Sequence, residues 1–186
     1  MSPFASLGRE EFRRIIGHSM SATNTVLTLE LVLAHRDSIH SIDLWTYTEI
    51  EERAAETLSK LKRYLNLSGL TSLTDATAAM LSEHQGILDL SGLSTLSDVA
   101  AQALAKMKGG LWLNGLGSLS AGVAAEFSTH AGDLYLRGLL TLSDEAAEAL
   151  AQHTGYLSLG GLAQVSTAAA QALSKHAGYG VKDSRK

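Results

Sequence analysis

Two sets of residues in this sequence have the types and spacing that chemistry requires. The first is His84, His130, His153 and His176, which share one position of a 23-residue period, the last three in successive copies. Imidazoles at a constant interval are the raw material of a metal ladder or a pH switch. Met107 and Leu61 fill the same position in other copies, and no carboxylate recurs beside the histidines to complete a metal site. The expected role is therefore a packed imidazole that donates to a carbonyl, with no metal and no cofactor. The second set is Trp112, Tyr135, Asn114 and Arg137, with Asp89 one period earlier. Parallel strands lie about 4.8 Å apart, so residues one period apart on successive strands come within contact distance. These five side chains would then form one patch, with Asp89 at its edge. Trp, Tyr and Arg dominate binding hot spots, so such a patch suits a protein partner. The alternative is that the aromatics cover strand backbone or meet the N-terminal segment.

Other motifs carry less. His35-Arg36-Asp37 spells a kinase catalytic tripeptide, but no glycine-rich loop or metal-binding Asp-Phe-Gly accompanies it. Asn66-Leu67-Ser68 is a glycosylation sequon with meaning only in a secreted chain. No Gly-x-Ser-x-Gly elbow, phosphate-cradling Gly-Lys-Ser/Thr loop or His-Glu-x-x-His occurs. The serines and threonines recur at structural positions, and the non-repeating charges Glu49, Glu51, Glu52 and Arg53 read as a solvated helix. The chain is read as non-enzymatic.

The elements that must position these residues are legible in the copy Asp133–Gly155, DLYLRGLLTLSDEAAEALAQHTG. Copies also start at Tyr64, Ile87, Gly110 and Tyr156, with a worn one at Ser41. Repetition of this length marks a solenoid, whose units bury apolar surface only against their neighbours. Leu134 and Leu136 alternate with Tyr135 and Arg137, the period-2 pattern of a short half-buried strand. The pair recurs as Ile42/Leu44, Leu65/Leu67, Leu88/Leu90, Leu111/Leu113 and Leu157/Leu159. Glycine follows at Gly69, Gly92, Gly115, Gly138 and Gly161, which implies either positive φ or close backbone approach. Two apolar residues, as in Leu139 and Leu142, should turn inward across the bend.

Next comes a hydroxyl residue, at Thr74, Ser97, Ser120, Ser143 and Ser166, ahead of an alanine-rich run. It reads as a helix N-cap, with Asp75, Asp98 and Asp144 suited to the positive end of the helix dipole. Ala146, Ala147, Leu150 and His153 share one helical face. Alanine is invariant at Ala55, Ala78, Ala101, Ala124, Ala147 and Ala170, which suggests close approach of helix and sheet. A second glycine (Gly86, Gly109, Gly132, Gly155, Gly178) stands where a left-handed C-cap is expected.

From Ser41 to Gly178, about three quarters of the chain, this pattern resembles the leucine-rich-repeat superfamily and looks like a bacterial-type variant. The most specific element is L-x-L-x-G-L-x-x-L, as in Leu88 to Leu96. The family's ladder asparagine is replaced by Leu70, Leu93, Leu116, Leu139 and Leu162, a leucine seam in place of amide hydrogen bonds. The resemblance implies an α/β solenoid with parallel strands on the concave side, helices on the convex side, and protein binding rather than catalysis.

Residues 1–40 do not repeat in the same way and read as an N-terminal helical cap, with one helix around Phe12, Ile15 and Ile16 and a second from about Ala22 to His35. Residues 41–178 hold about six repeats, and 179–186 form a charged tail. The tail offers no apolar cover for the last repeat, so either a monomer or a weak end-to-end dimer is expected. With 186 residues, one proline and no cysteine, the chain suits one regular domain without disulfides. Its net charge of −4 argues against a general nucleic-acid or anionic-membrane binder. The start lacks a signal-peptide pattern, and the apolar run Val26 to Ala34 is short and holds Glu30. A cytoplasmic location is expected. A protein-interaction module is the leading functional expectation. A structural spacer within a larger protein comes second, and an enzyme or ligand-binding protein with a pocket near the cap comes last.

Overall fold

In a computed structural model of the chain, the residues described are 26–34, 44–62 and 64–176. They form an α/β architecture in which very short parallel strands alternate with short helices. The main sheet has five strands in sequence order: β3 (Leu65–Asn66), β4 (Leu88–Asp89), β5 (Leu111–Trp112), β6 (Leu134–Tyr135) and β7 (Leu157–Ser158). Each pairs with the next in a register of one period, Leu65 on Leu88, Leu88 on Leu111, and so on. Between and after them run α3 (Asp75–Leu81), α4 (Asp98–Leu104), α5 (Ala121–Ser128), α6 (Asp144–Leu150) and α7 (Thr167–Leu173). No helix among the described residues is long and apolar enough to cross a membrane.

The core lies between the strands and the helices. The strand leucines Leu88, Leu90, Leu111, Leu113, Leu134 and Leu136 are fully enclosed, as are Leu81, Leu104 and Leu150 from the helices. Leu70, Leu93, Leu116 and Leu139 are enclosed as well, so the seam expected in place of asparagines is present. Each of their N–H groups donates back to the second strand leucine, as in Leu93 to the Leu90 carbonyl at 3.1 Å. A backbone turn thereby closes the bend that a side-chain amide would otherwise hold.

The glycines after the strands answer the question their recurrence raised. A Cβ on Gly69, Gly92, Gly115, Gly138 or Gly161 would lie 1.7–2.3 Å from a carbonyl oxygen of the preceding copy, and none has a left-handed φ. Close approach, not positive φ, requires them. The second glycine column departs from the expected left-handed C-cap. Helices α3 to α7 end on residues in the right-handed helical conformation, several positions before these glycines. Gly109, Gly132 and Gly155 instead allow one copy's backbone to lie on the last: their Cβ atoms would meet the carbonyls of Gly86, Gly109 and Gly132 at 1.8–2.2 Å.

The hydroxyl column caps as expected. Thr74, Ser97, Ser120, Ser143 and Ser166 each accept from the N–H three residues on. The aspartates do more than favour the dipole: Ser97 donates to Asp75 at 2.5 Å and Ser120 to Asp98 at 3.5 Å, while Ser166 donates to Asp144. Each such bond joins one helix start to the preceding one.

The invariant alanine faces the next helix rather than the sheet. Ala55, Ala78, Ala101, Ala124 and Ala147 are fully buried, but Ala170, with no described helix after it, is exposed. Its neighbour Ala169 is enclosed, so the inner side of that helix is covered while its forward side is not.

The chain before Tyr64 differs from the expected copy. Ile42 lies outside the described residues and Leu44–Thr46 is a turn of 3₁₀-helix, not a strand. Among the described residues of this segment the strand is β2 (Glu49–Ile50), followed by α2 (Glu52–Ser59). It pairs in parallel with β1 (Val26–Leu27), which precedes α1 (Leu29–Ala34). A strand and a short helix therefore stand where one helix from Ala22 to His35 was expected. Val26 and Glu49 are one period apart, and Leu31 donates to the Thr28 hydroxyl as a capped helix start does. The first expected helix, around Phe12, and the charged tail 179–186 lie outside the described residues.

Candidate functional site

Alternation along β4, β5 and β6 turns Leu88, Leu111 and Leu134 inward and leaves Asp89, Trp112 and Tyr135 on the opposite face. Parallel register then places Asp89 beside Trp112 and Trp112 beside Tyr135. The ring centroids of Trp112 and Tyr135 are 5.3 Å apart and tilted by 55°. Arg137 stands 5.4 Å from the Tyr135 ring centroid and donates through Nε to Ser158 Oγ at 3.1 Å. Asn114 bridges neighbours: its Nδ2 donates to Ser91 Oγ at 3.2 Å and its Oδ1 accepts from the Arg137 N–H at 3.0 Å. All five expected patch residues therefore lie on one face.

They are not equally available there. Trp112, Tyr135 and Asn114 are half-buried and Arg137 is exposed. Asp89 is 7% exposed, and its carboxylate is already engaged by the Tyr64 hydroxyl at 2.9 Å and the Ser91 N–H at 2.9 Å. Burial first, then the Asp89 hydrogen bond and charge, push the Tyr64 phenol up to about 12. Asp89 thus anchors a tyrosine rather than presenting a free charge.

Tyr64 belongs to a column that the sequence reasoning passed over. The residue before each strand is Tyr64, Ile87, Gly110, Asp133 or Tyr156, and alternation puts it on the same side as Trp112 and Tyr135. Tyr64 lies 5.5 Å from Trp112, and Tyr156 lies 5.5 Å from Tyr135. Four aromatic rings thereby form one run across the sheet, with 49% of Tyr64 and 39% of Tyr156 exposed. Gly110 leaves a gap in this column. Beside it is a depression of about 260 Å³ whose walls include Ile87, Lys108, Trp112, Asp133 and Tyr135. Trp112 Nε1 is enclosed without a hydrogen-bond partner among the described residues. The alternation that identified the Trp112 column was enough to identify this one.

A second depression, of about 530 Å³, lies at the starts of α2 and α3, among Ile50, Glu51, Glu52, Arg53, Thr74 and Thr77. Its hydroxyls are committed to capping: Thr77 donates its N–H to Thr74 Oγ1, and the two hydroxyls bond at 2.9 Å. Glu51 makes no cap for its own helix but accepts from the Leu29 N–H at 2.9 Å, tying α1 to α2.

The four histidines are buried, as expected. They follow the helix ends rather than standing on the helices: α6 closes at Leu150 and His153 lies beyond it. Nδ1 of His84, His130 and His153 lies 3.2–3.3 Å from the carbonyls of Ser59, Ala105 and Phe127, each in the preceding copy. Among the described residues, no cluster of histidine and acidic side chains has the geometry to hold a metal ion.

Comparison with known proteins found no matching family model, no matching curated protein and no matching solved structure.

Proposed function

We propose that this chain is a leucine-rich-repeat-type solenoid with an N-terminal cap in residues 1–40 that includes β1 and α1, and that it binds a partner protein through the concave face of its sheet. The binding centre is Trp112, Tyr135 and Arg137, supported by Asn114 and Asp89. The observation that carries the reading is the aromatic run from Tyr64 through Trp112 and Tyr135 to Tyr156, left partly exposed at both ends. Aromatic side chains exposed as a contiguous patch mark interaction surfaces, and they supply large contact area at small entropic cost. Covering the strands does not require them, because Asn66 and Ser158 occupy the same column in the outer copies. Net negative charge makes nucleic acid a poor partner. The larger depression near α2 lacks an uncommitted hydroxyl, which leaves catalysis there the weakest reading.

The test compares proteins retained from source-cell lysate by the native chain and by two folded variants. Trp112→Ser/Arg137→Glu removes the patch. Val99→Asp alters a residue of α4 that is 57% exposed and serves as the control. A protein held by native and Val99→Asp chains but lost by the patch variant is the expected result. Equal retention by all three would abandon the patch and favour a structural spacer.

A further inference from the structure

The histidine column is built as a coupling element between copies, and nothing in the sheet-face reading uses it. His84, His130, His153 and His176 are 1%, 0%, 3% and 6% exposed. The rings of His130 and His153 are 5.9 Å apart and within 7° of parallel, and those of His153 and His176 are 5.8 Å apart and within 9°. A carbonyl accepts only from a protonated nitrogen, so His84, His130 and His153 carry their proton on Nδ1 and donate it to the copy before. Nε2 of His130 and of His153 is enclosed without a hydrogen-bond partner among the described residues.

We propose that the stacked pair His130 and His153 in this column is an acid-sensitive switch, which holds successive copies together while its imidazoles are neutral and separates them when they take up protons. Adding a proton places a second N–H at an enclosed Nε2 and puts a charge where burial disfavours it. A charge on one ring also faces its neighbour in the column, so the cost grows from ring to ring.

No opposing charge is placed to relieve this. The groups bearing on His130 are backbone carbonyls, those of Ala105, Asp133, Gly109 and Met107, which favour the charged ring but are outweighed by burial. Those bearing on His153 are the backbone at Phe127 and Tyr156 and the like charges of His130 and His176. The nearest charged residues along the chain are Glu83, Glu126, Asp133, Glu148 and Lys175; Glu126 is half-buried and the others are exposed. Burial therefore lowers His130, and burial together with His130 lowers His153.

The sign follows from linkage. The unfolded chain protonates His130 and His153 near the ordinary imidazole value of about 6.5, while the folded chain resists until lower pH. Stability is full above the ordinary value and falls as pH drops through the interval between the two. Met107 interrupts the column between His84 and His130, so the loss concentrates in the copies from Gly110 onward.

Met107 is 1% exposed at the same position, which makes methionine a replacement this architecture already accepts. The test measures urea midpoints of the full chain and of its His130→Met/His153→Met variant from about pH 7.5 to about pH 5. The native midpoint should fall more steeply than the variant's, and parallel curves would overturn the switch. Ring C–H resonances of the native chain provide a second measurement that does not depend on the variant folding. His130 and His153 should keep neutral-ring shifts until the C-terminal copies open, with hydrogen exchange accelerating there first. Titration of those rings near the ordinary value in a chain that stays folded would overturn the proposal.

Discussion

The copies from Tyr64 onward and the segment before them share a period and the place of the helix, α2 lying one period before α3, but differ in the strand that is described. From Tyr64 to His176 the strands occupy the positions of Leu65–Asn66 and repeat without a slip. Before Tyr64 the pairing seen among the described residues joins Val26–Leu27 to Glu49–Ile50, a different point of the same unit, in a separate two-stranded sheet. The two regions differ most plainly at the glycine columns, where the earlier segment has Thr46 and Arg63. In the regular copies these glycines let one backbone lie against the next at distances that no Cβ tolerates. The earlier segment still receives the next copy in the regular way, since a Cβ on Gly69 would lie 2.0 Å from the Trp45 carbonyl oxygen. The lesson is that glycine sets how closely one copy's backbone can lie on the copy before it, a condition that the apolar pattern alone does not state.

The severest way to break this difference is to give a regular copy a side chain at its glycine. In Gly115→Val the new Cβ would lie 2.2 Å from the Ser91 carbonyl oxygen and 2.6 Å from that of Leu93, backbone atoms that cannot turn aside as a side chain could. We expect a loss of at least ~3 kcal/mol, beyond ordinary overpacking, read as a collapse of the cooperative denaturation transition. Enlarging the alanine column comes next. Ala124→Leu intrudes between α5 and α6, where Ala124 is fully buried, and should cost ~1–3 kcal/mol by urea denaturation. The same change at Ala170, exposed at the end of the described array, should cost little.

The caps sharpen the comparison more gently. Ser143→Ala removes a helix cap and should cost about 1 kcal/mol. Ser97→Ala removes an equivalent cap together with the donation to Asp75, so its thermal midpoint should fall further than that of Ser143→Ala. Equal losses would mean that the serine–aspartate bonds add nothing between copies. The smallest effect belongs to Thr46→Gly, which restores one glycine to the worn segment. It should change stability by no more than about 1 kcal/mol, the range of a single glycine replacement, because Arg63 still fills the second glycine position. A large gain would show that a single position decides the slip.

Much of this was written in residue order. The strand leucines, the inward seam from Leu70 to Leu139, the hydroxyl caps and the burial of the histidines follow from period and residue type, because each copy meets nearly the same neighbours. The grouping of Trp112, Tyr135, Asn114 and Arg137 followed from the same period once parallel pairing was assumed. Tyr64 and Tyr156 were equally accessible to that logic, since they precede the strands by one residue.

Tertiary structure decided what local pattern leaves open. A recurrent glycine is compatible with a left-handed cap or with close packing, and only the neighbouring carbonyl distinguishes them. A buried alanine column fits a helix against a sheet or against another helix, and the exposure of Ala170 distinguishes those. Asp89 reads as a free charge in sequence; the Tyr64 hydroxyl one copy earlier makes it an anchor. The strand before Tyr64 depends on which backbones can approach, a property of two copies together that neither carries alone.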